Sequence, residues 1–212
     1  MYMAGSRVFL ISPAGTSGRR AEILLRDAAR FDLAVRLRSR TGATLGEAFS
    51  FLSGLYFRGK LAYARRFAPD TSFVITSCAG LLHPETAVRR EDLRRYAQVP
   101  ISLAEPAYRR PFIRDARRLL REMPADSVVV LLGSIATDKY CGILLEVFGD
   151  RLLFPSAFVG RGDMSRGGLL LRAARDGNEL EYVPVANAVR HGPRPAKLDP
   201  ATRVRVPRSE PE

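Results

Sequence analysis

The run FVGRGDMSRGGLLLRAA (158–174) sets four glycines, two arginines, an aspartate and a serine just ahead of an apolar helical stripe. A helix start presents unpaired amide groups and the positive end of the helix dipole. Glycines let a ligand approach that backbone closely. On this reading Gly160, Arg161, Gly162, Ser165 and Arg166 bind a phosphate or similar anion, the two guanidiniums adding charge-assisted bonds, and Asp163 is the candidate acid or base. The competing reading is a turn in which Asp163 or Ser165 caps the helix.

Two other runs share this construction. SPAGTSGRR (12–20) is a strand end, a small-residue turn and a basic helix start, with Gly15, Thr16, Ser17 and Arg19 as anion-binding candidates. GSIATDKY (133–140) supplies Ser134 together with Lys139 and Tyr140, a pair suited to acid–base work where burial shifts it, with Thr137 or Asp138 as a simple helix cap. Ser77 closes a third strand-like run. None of these stretches has the GxxxxGK[ST] or strand-linked GxGxxG form, so no cofactor is expected. His83 and His191 are the only histidines, and Cys78 and Cys141 have no neighbours at metal-ligand spacing. The expectation is two reduced, packed thiols and no metal.

The 212 residues suffice for one sizeable core, and 46% hydrophobic with 26% charged residues is the mix of a folded chain. No apolar run approaches the roughly 20 residues of a membrane span, and the N-terminus lacks the order of a signal peptide, so a cytoplasmic protein without membrane contact is expected. The net charge of +12 attracts polyanions, nucleic acid first among them. Lysine fills only three of the 34 basic positions (Lys60, Lys139, Lys197). Such an arginine bias also follows from a GC-rich genome, so arginine preference by itself carries no function.

Stepping along the chain, short apolar runs at 7–12, 72–77, 127–133, 151–155 and 178–185 read as strands. Helical periodicity fills the intervals. Ala21, Leu24 and Leu25 open one helix that Phe31, Ala34 and Leu37 extend to Gly42, and Thr44-x-x-Glu47 forms a capping box. In GLYFRGKLAYARRFA, Phe57, Leu61, Ala64 and Phe67 form the core face, with Tyr56, Lys60 and Tyr63 packing at its edge. Pro106 or Pro111 starts a further helix. The pattern predicts an α/β fold: a three-layer, open, mainly parallel sheet of four to five strands flanked by helices, in one domain over 1–186. The Pro-rich segment 187–212 reads as an extended or disordered basic tail. In such a sheet the functional crevice lies beyond the carboxyl ends of the strands, where segments 13–19, 77–83, 133–140 and 155–166 gather.

GLYFRGKLAYARRFA with FVITSCAGLLHPETAV, then VVVLLGSIATDKYCGILLEVFGDRLLFP and GRGDMSRGG, resembles a group of bacterial and phage domains related to the YaaA peroxide-stress family. That group is similar to an outlying branch of the uracil-DNA glycosylase superfamily, with the lysine-transferring domain of archaeosine synthase among its relatives. The resemblance covers roughly residues 50–170. It sets LLFPSAF (152–158) where glycosylases carry a histidine-proline-serine motif and ISPAGTSG (11–18) where they carry a water-activating loop. Phe154 stands at the histidine position, and the first loop has no Asp, Asn or His, so the usual uracil excision lacks its donor and its activated water. What the resemblance implies is a base or nucleotide bound at the strand ends.

The expected function is therefore binding of a nucleobase, a phosphorylated nucleotide or nucleic acid, with modification of it as an enzyme left open. A non-enzymatic nucleic-acid-binding or assembly protein is the alternative, and a transferase acting on a small metabolite is a third. Basic residues spread over one face favour nucleic acid, whereas basic residues converging on one pocket favour a small phosphorylated ligand. The oligomeric state is left open.

Overall fold

Continuous apolar runs such as Val128–Leu132 satisfy a strand covered on both faces, and that is where this one sits. The structure is a computed structural model that describes residues 6–193 together with 195 and 196. The six-stranded sheet comprises β1 (Arg7–Ile11), β3 (Ser72–Ile75), β4 (Leu81–Leu82), β6 (Val128–Leu132), β7 (Leu152–Pro155) and β8 (Tyr182–Pro184), in the order β4-β3-β1-β6-β7-β8. β3, β1, β6 and β7 are parallel, with Phe9 opposite Ser72 on one side and Val130 on the other. β4 and β8 pair antiparallel at the edges. A separate ribbon joins β2 (Ala43–Thr44) to β5 (Ala87–Val88).

Among the described residues, eight α-helices fill the connections: α1 (Arg19–Leu25), α2 (Asp32–Arg38), α3 (Leu45–Ser53), α4 (Leu55–Phe67), α5 (Arg90–Gln98), α6 (Pro106–Glu122), α7 (Asp138–Phe148) and α8 (Asp163–Asp176). The crossover from β1 to β3 through α4 and that from β6 to β7 through α7 run in opposite directions across the sheet. Right-handed crossovers then set α4 and α7 on opposite faces. Val129 through Leu132 have no exposed surface. The direction of winding reverses between β1 and β6, which makes the gap beyond their carboxyl ends the switch point of the sheet.

Three expectations need correction. The sheet has six strands because Leu81–Leu82, expected in a loop, turn back onto β3. Gly80, at φ +69°, makes this turn, and two residues are too few to show a period. The helix expected to run from Ala21 to Gly42 is two helices. The chain is extended at Arg26, and Arg38 donates from α2 to the freed carbonyls of Ala29 (2.6 Å) and Arg26 (3.3 Å). Lys60, expected at the edge of the core, is 1% exposed, and Tyr56 and Tyr63 are buried with it.

The Thr44–Glu47 capping box forms as expected: Glu47 N–H donates to the Thr44 hydroxyl at 3.2 Å and Thr44 N–H to the Glu47 carboxylate at 3.0 Å. Arg36 clasps the same carboxylate at 2.7 and 3.0 Å and, with the Thr44 bonds, holds it down at about 2. α4 and α8 meet backbone to backbone. A Cβ on Gly59 would lie 2.5 Å from the Gly167 carbonyl, and one on Gly167 would lie 2.8 Å from the Leu55 carbonyl and the Tyr56 Cα. This close approach brings the first turns of the two helices together at the carboxyl edge of the sheet.

Candidate functional site

The loop that leaves β1 at Ser12 and the loop that leaves β3 at Thr76 face the last turn of α5. Between them opens a cleft of about 260 Å³. The Pro13–Ser17 backbone forms one wall, Phe49 and Ser77 contribute deeper surface, and Tyr96, Ala97 and Val99–Ile101 form the other wall. Ser77 donates its hydroxyl to the Tyr96 carbonyl at 2.8 Å, which ties the end of β3 to α5. Thr76 donates to the Gly80 carbonyl and accepts from Ala79 N–H, both at 2.9 Å, which closes the β3–β4 turn. Burial, with Asp92 and Cys78 adding to it, pushes the Tyr96 hydroxyl up to about 12, so the ring is neutral. None of the described lining residues carries a charge.

Gly15, Thr16, Ser17 and Ser77 are thus brought together as the sequence pattern anticipates. Arg19 is exposed at the first position of α1 and does not line the cleft. Gly15 has no atom within 4 Å of the position a Cβ would take, so its side faces open space.

A second cluster lies one strand over, at the switch point. The Lys60 ammonium donates to the Ser12 carbonyl at 2.6 Å and to the Ser12 hydroxyl at 2.8 Å, and sits 4.2 Å from the centre of the Tyr56 ring. Burial lowers this amine from its ordinary range to about 7, with Asp163 opposing and Arg166 reinforcing the shift. Among the described residues the Tyr56 hydroxyl has no hydrogen-bond partner, and burial pushes it up to about 12. Tyr140 is buried in the same region, its hydroxyl pushed up by burial and by the nearby Tyr56 and Asp163.

The opening run of α8 behaves differently from expectation. Gly162 is the N-cap and no side chain caps the helix, so neither Asp163 nor Ser165 does. Arg161 donates to the Ala157 carbonyl at 2.9 Å and to the Ser165 hydroxyl at 3.2 Å; Arg166 donates to the Phe158 carbonyl at 3.1 Å and lies over the Phe158 ring. Both guanidiniums therefore hold their own loop. Gly160, at φ +70°, permits the close passage of Pro193, whose carbonyl a Cβ would strike. Asp163 is exposed, 3.6 Å from Arg166. The described part of the expected tail crosses this loop, with Arg190 paired to Asp138; residues 197–212 lie outside the described residues.

Ser134 is half-buried and accepts from Ala136 N–H at 3.3 Å. Lys139 is exposed, its ammonium 5.1 Å from the Tyr140 ring, and its carbonyl accepts from the Tyr108 hydroxyl at 2.6 Å. Thr137 is the N-cap of α7 but its side chain makes no capping bond, and Asp138 is the first helical residue, so the capping role expected of either is not present. Phe154, which the resemblance aligns with a histidine, lines a different and apolar groove of about 360 Å³ with Val159, Val183 and Ala186–Val189. Among the described residues no group of three or more His, Cys, Asp or Glu is placed to hold a metal ion, and no helix is long and apolar enough to cross a membrane.

The sequence reading misses Phe49 and Tyr96 and places Lys60 only at the edge of the core. The two aromatics sit on helices whose periodicity reports burial, not which cavity a ring borders. Lys60 did leave a signal: in a chain that otherwise uses arginine, it is a lysine between glycine and leucine on an apolar helix, and lysine alone of the two sheds its proton when buried.

No protein-family model matches the chain, and neither curated proteins nor solved structures give a match.

Proposed function

We propose that this chain binds a nucleobase-bearing ligand, with the base in the cleft between the β1 loop and α5. The observation that carries the reading is the character of that cleft. Its lining is two aromatic rings that meet edge to face, Phe49 and Tyr96, with two prolines and aliphatic side chains, and its polar groups are the hydroxyls of Thr16, Ser17 and Ser77 and the backbone of Pro13–Ser17. A planar, uncharged heterocycle with donors and acceptors on its rim matches such a slot, because rings stack on its apolar walls while a few convergent polar groups fix orientation. At about 260 Å³ the cleft suits one ring system and not a whole nucleotide. A phosphate would have to stay outside, where the positive charge of the chain is. Lys60, through Ser12, holds the strand end from which the loop wall springs.

The test is calorimetric titration of nucleosides and nucleotides into the parent and into Gly15→Phe. The new ring meets no protein atom near its Cβ and projects from the cleft wall. Expected is saturable nucleoside binding by the parent and at least roughly tenfold weaker binding by the variant, with an unchanged melting temperature. A parent that binds no nucleoside, or a variant that binds equally well, would overturn the reading.

A further inference from the structure

We infer that the solvent face of α6 is a docking surface for the phosphate backbone of a nucleic acid strand. This rests on the cleft reading only for where the strand leads. Arg110, Arg114, Arg117 and Arg121 recur at intervals of four, three and four residues, which aligns them within about 60° of one helical face. The buried residues Tyr108, Phe112, Asp115 and Ala116 occupy the opposite face. The row spans about 16 Å at 1.5 Å per residue. Arg109 and Arg118 flank it, and all six arginines are exposed.

Three of these six arginines have carboxylate partners, Arg118 reaching Glu122 at 4.0 Å besides the pairs that follow, and three have none. Arg114 and Arg118 share the buried carboxylate of Asp115, at 2.9 and 3.9 Å, and Arg117 reaches Glu146 at 3.1 Å in a surface pair. Among the described residues, the side chains of Arg109, Arg110 and Arg121 make no hydrogen bond or ion pair. Like charges one turn apart destabilise an isolated helix, so a row of this kind is a cost to the fold that a polyanion offsets. Arginine forks match phosphate oxygens two at a time. None of the exposed large hydrophobic residues lies on α6, so the face has nothing to insert into a lipid surface. The helix begins at the carboxyl edge: residues 99–105 lead from the cleft wall into Pro106, and Tyr108 bonds the first turn of α7. A backbone leaving a base in the cleft would meet Arg109 and Arg110 first.

The experiment measures fluorescence anisotropy of labelled single-stranded and duplex DNA of about 20 nucleotides with the full chain, across salt from about 0.05 to 0.3 M. The variant R109Q/R110Q/R117Q/R121Q spares both partners of Asp115, and the four-lysine counterpart keeps the charge. Expected is roughly 30-fold or greater weakening for the glutamine variant near 0.1 M salt, with a salt slope shallower by about 3. The lysine variant should retain most of the slope. Equal affinity and slope in parent and glutamine variant would overturn the proposal, as would tighter binding to phosphatidylserine vesicles or to polyglutamate than to DNA. Loss of polymer binding on α6 substitution in a protein that binds no free nucleoside would uphold the docking surface and remove the cleft reading alone.

Discussion

The Lys60 ammonium lies 2.6 Å from the Ser12 carbonyl and 2.8 Å from the Ser12 hydroxyl, fastening the middle of α4 to the first residue beyond β1. Among the described residues no carboxylate bonds it, and its amine is lowered to about 7 by burial. In the unfolded chain the same amine keeps its proton up to about 10.5. Between those values the unfolded state binds more protons, so this group makes stability rise with pH above about 7, by an amount on the order of a few kcal/mol in all; below 7 both states are protonated and its contribution stays at its least favourable.

Lys60→Met should therefore flatten the rise in unfolding free energy between about pH 6 and about pH 9, measured by urea denaturation. The buried Cys141 thiol, raised from its ordinary value of 9.0, begins to lower stability only at the top of that window, and the hydroxyls of Tyr56, Tyr63 and Tyr96, also pushed up by burial, do so above it. A parent curve that is flat there, or a variant that keeps the parent's rise, would show that the lysine is not neutralised on folding.

Gly167→Ala should destabilise by about 2 to 3 kcal/mol, because its methyl would lie 2.8 Å from backbone atoms of Leu55 and Tyr56 that cannot step aside without separating α4 from α8. Gly142→Ala, inside α7, is the contrast: its methyl meets the Leu103 Cδ1 at 3.4 Å, so the gain in helix propensity should stabilise by roughly 0.5 to 1 kcal/mol. Thermal melts of the two variants moving in the same direction would contradict the helix contact.

How much of this was legible can be seen residue by residue. The four parallel strands announce themselves because each holds three or more consecutive apolar residues followed by turn residues, as a doubly covered strand requires. Gly15, Thr16, Ser17 and Ser77 can be placed at one edge from the sequence because the carboxyl ends of parallel strands are fixed by chain direction. Leu81–Leu82 were missed because two residues have no period. Phe49 and Tyr96 were missed because burial against the core and burial beside a cleft look alike in a helical pattern. Arg161 and Arg166 were read as ligand groups because their charge is visible in sequence, whereas the loop carbonyls of Ala157 and Phe158 that they satisfy are a product of the fold.

Those two arginines give a third test. Arg166→Ala removes a hydrogen bond to the Phe158 carbonyl and packing over its ring, and should cost about 1 to 2 kcal/mol of stability; Arg161→Ala should cost about 1 kcal/mol. Nucleoside binding should be unchanged in both. Parent-like melts combined with lost binding would restore these residues to a ligand site.

The base cleft itself is tested most directly by photocrosslinking. A single-stranded oligonucleotide carrying 5-iodouridine is irradiated with the full chain, and the adduct is mapped by mass spectrometry. The expected result is attachment to Tyr96 or Phe49, the rings that border the cleft, with the adduct lost in Gly15→Phe. Attachment instead to Phe154 in the groove along β7 and β8, or an adduct that survives Gly15→Phe unchanged, would contradict a base bound between the β1 loop and α5.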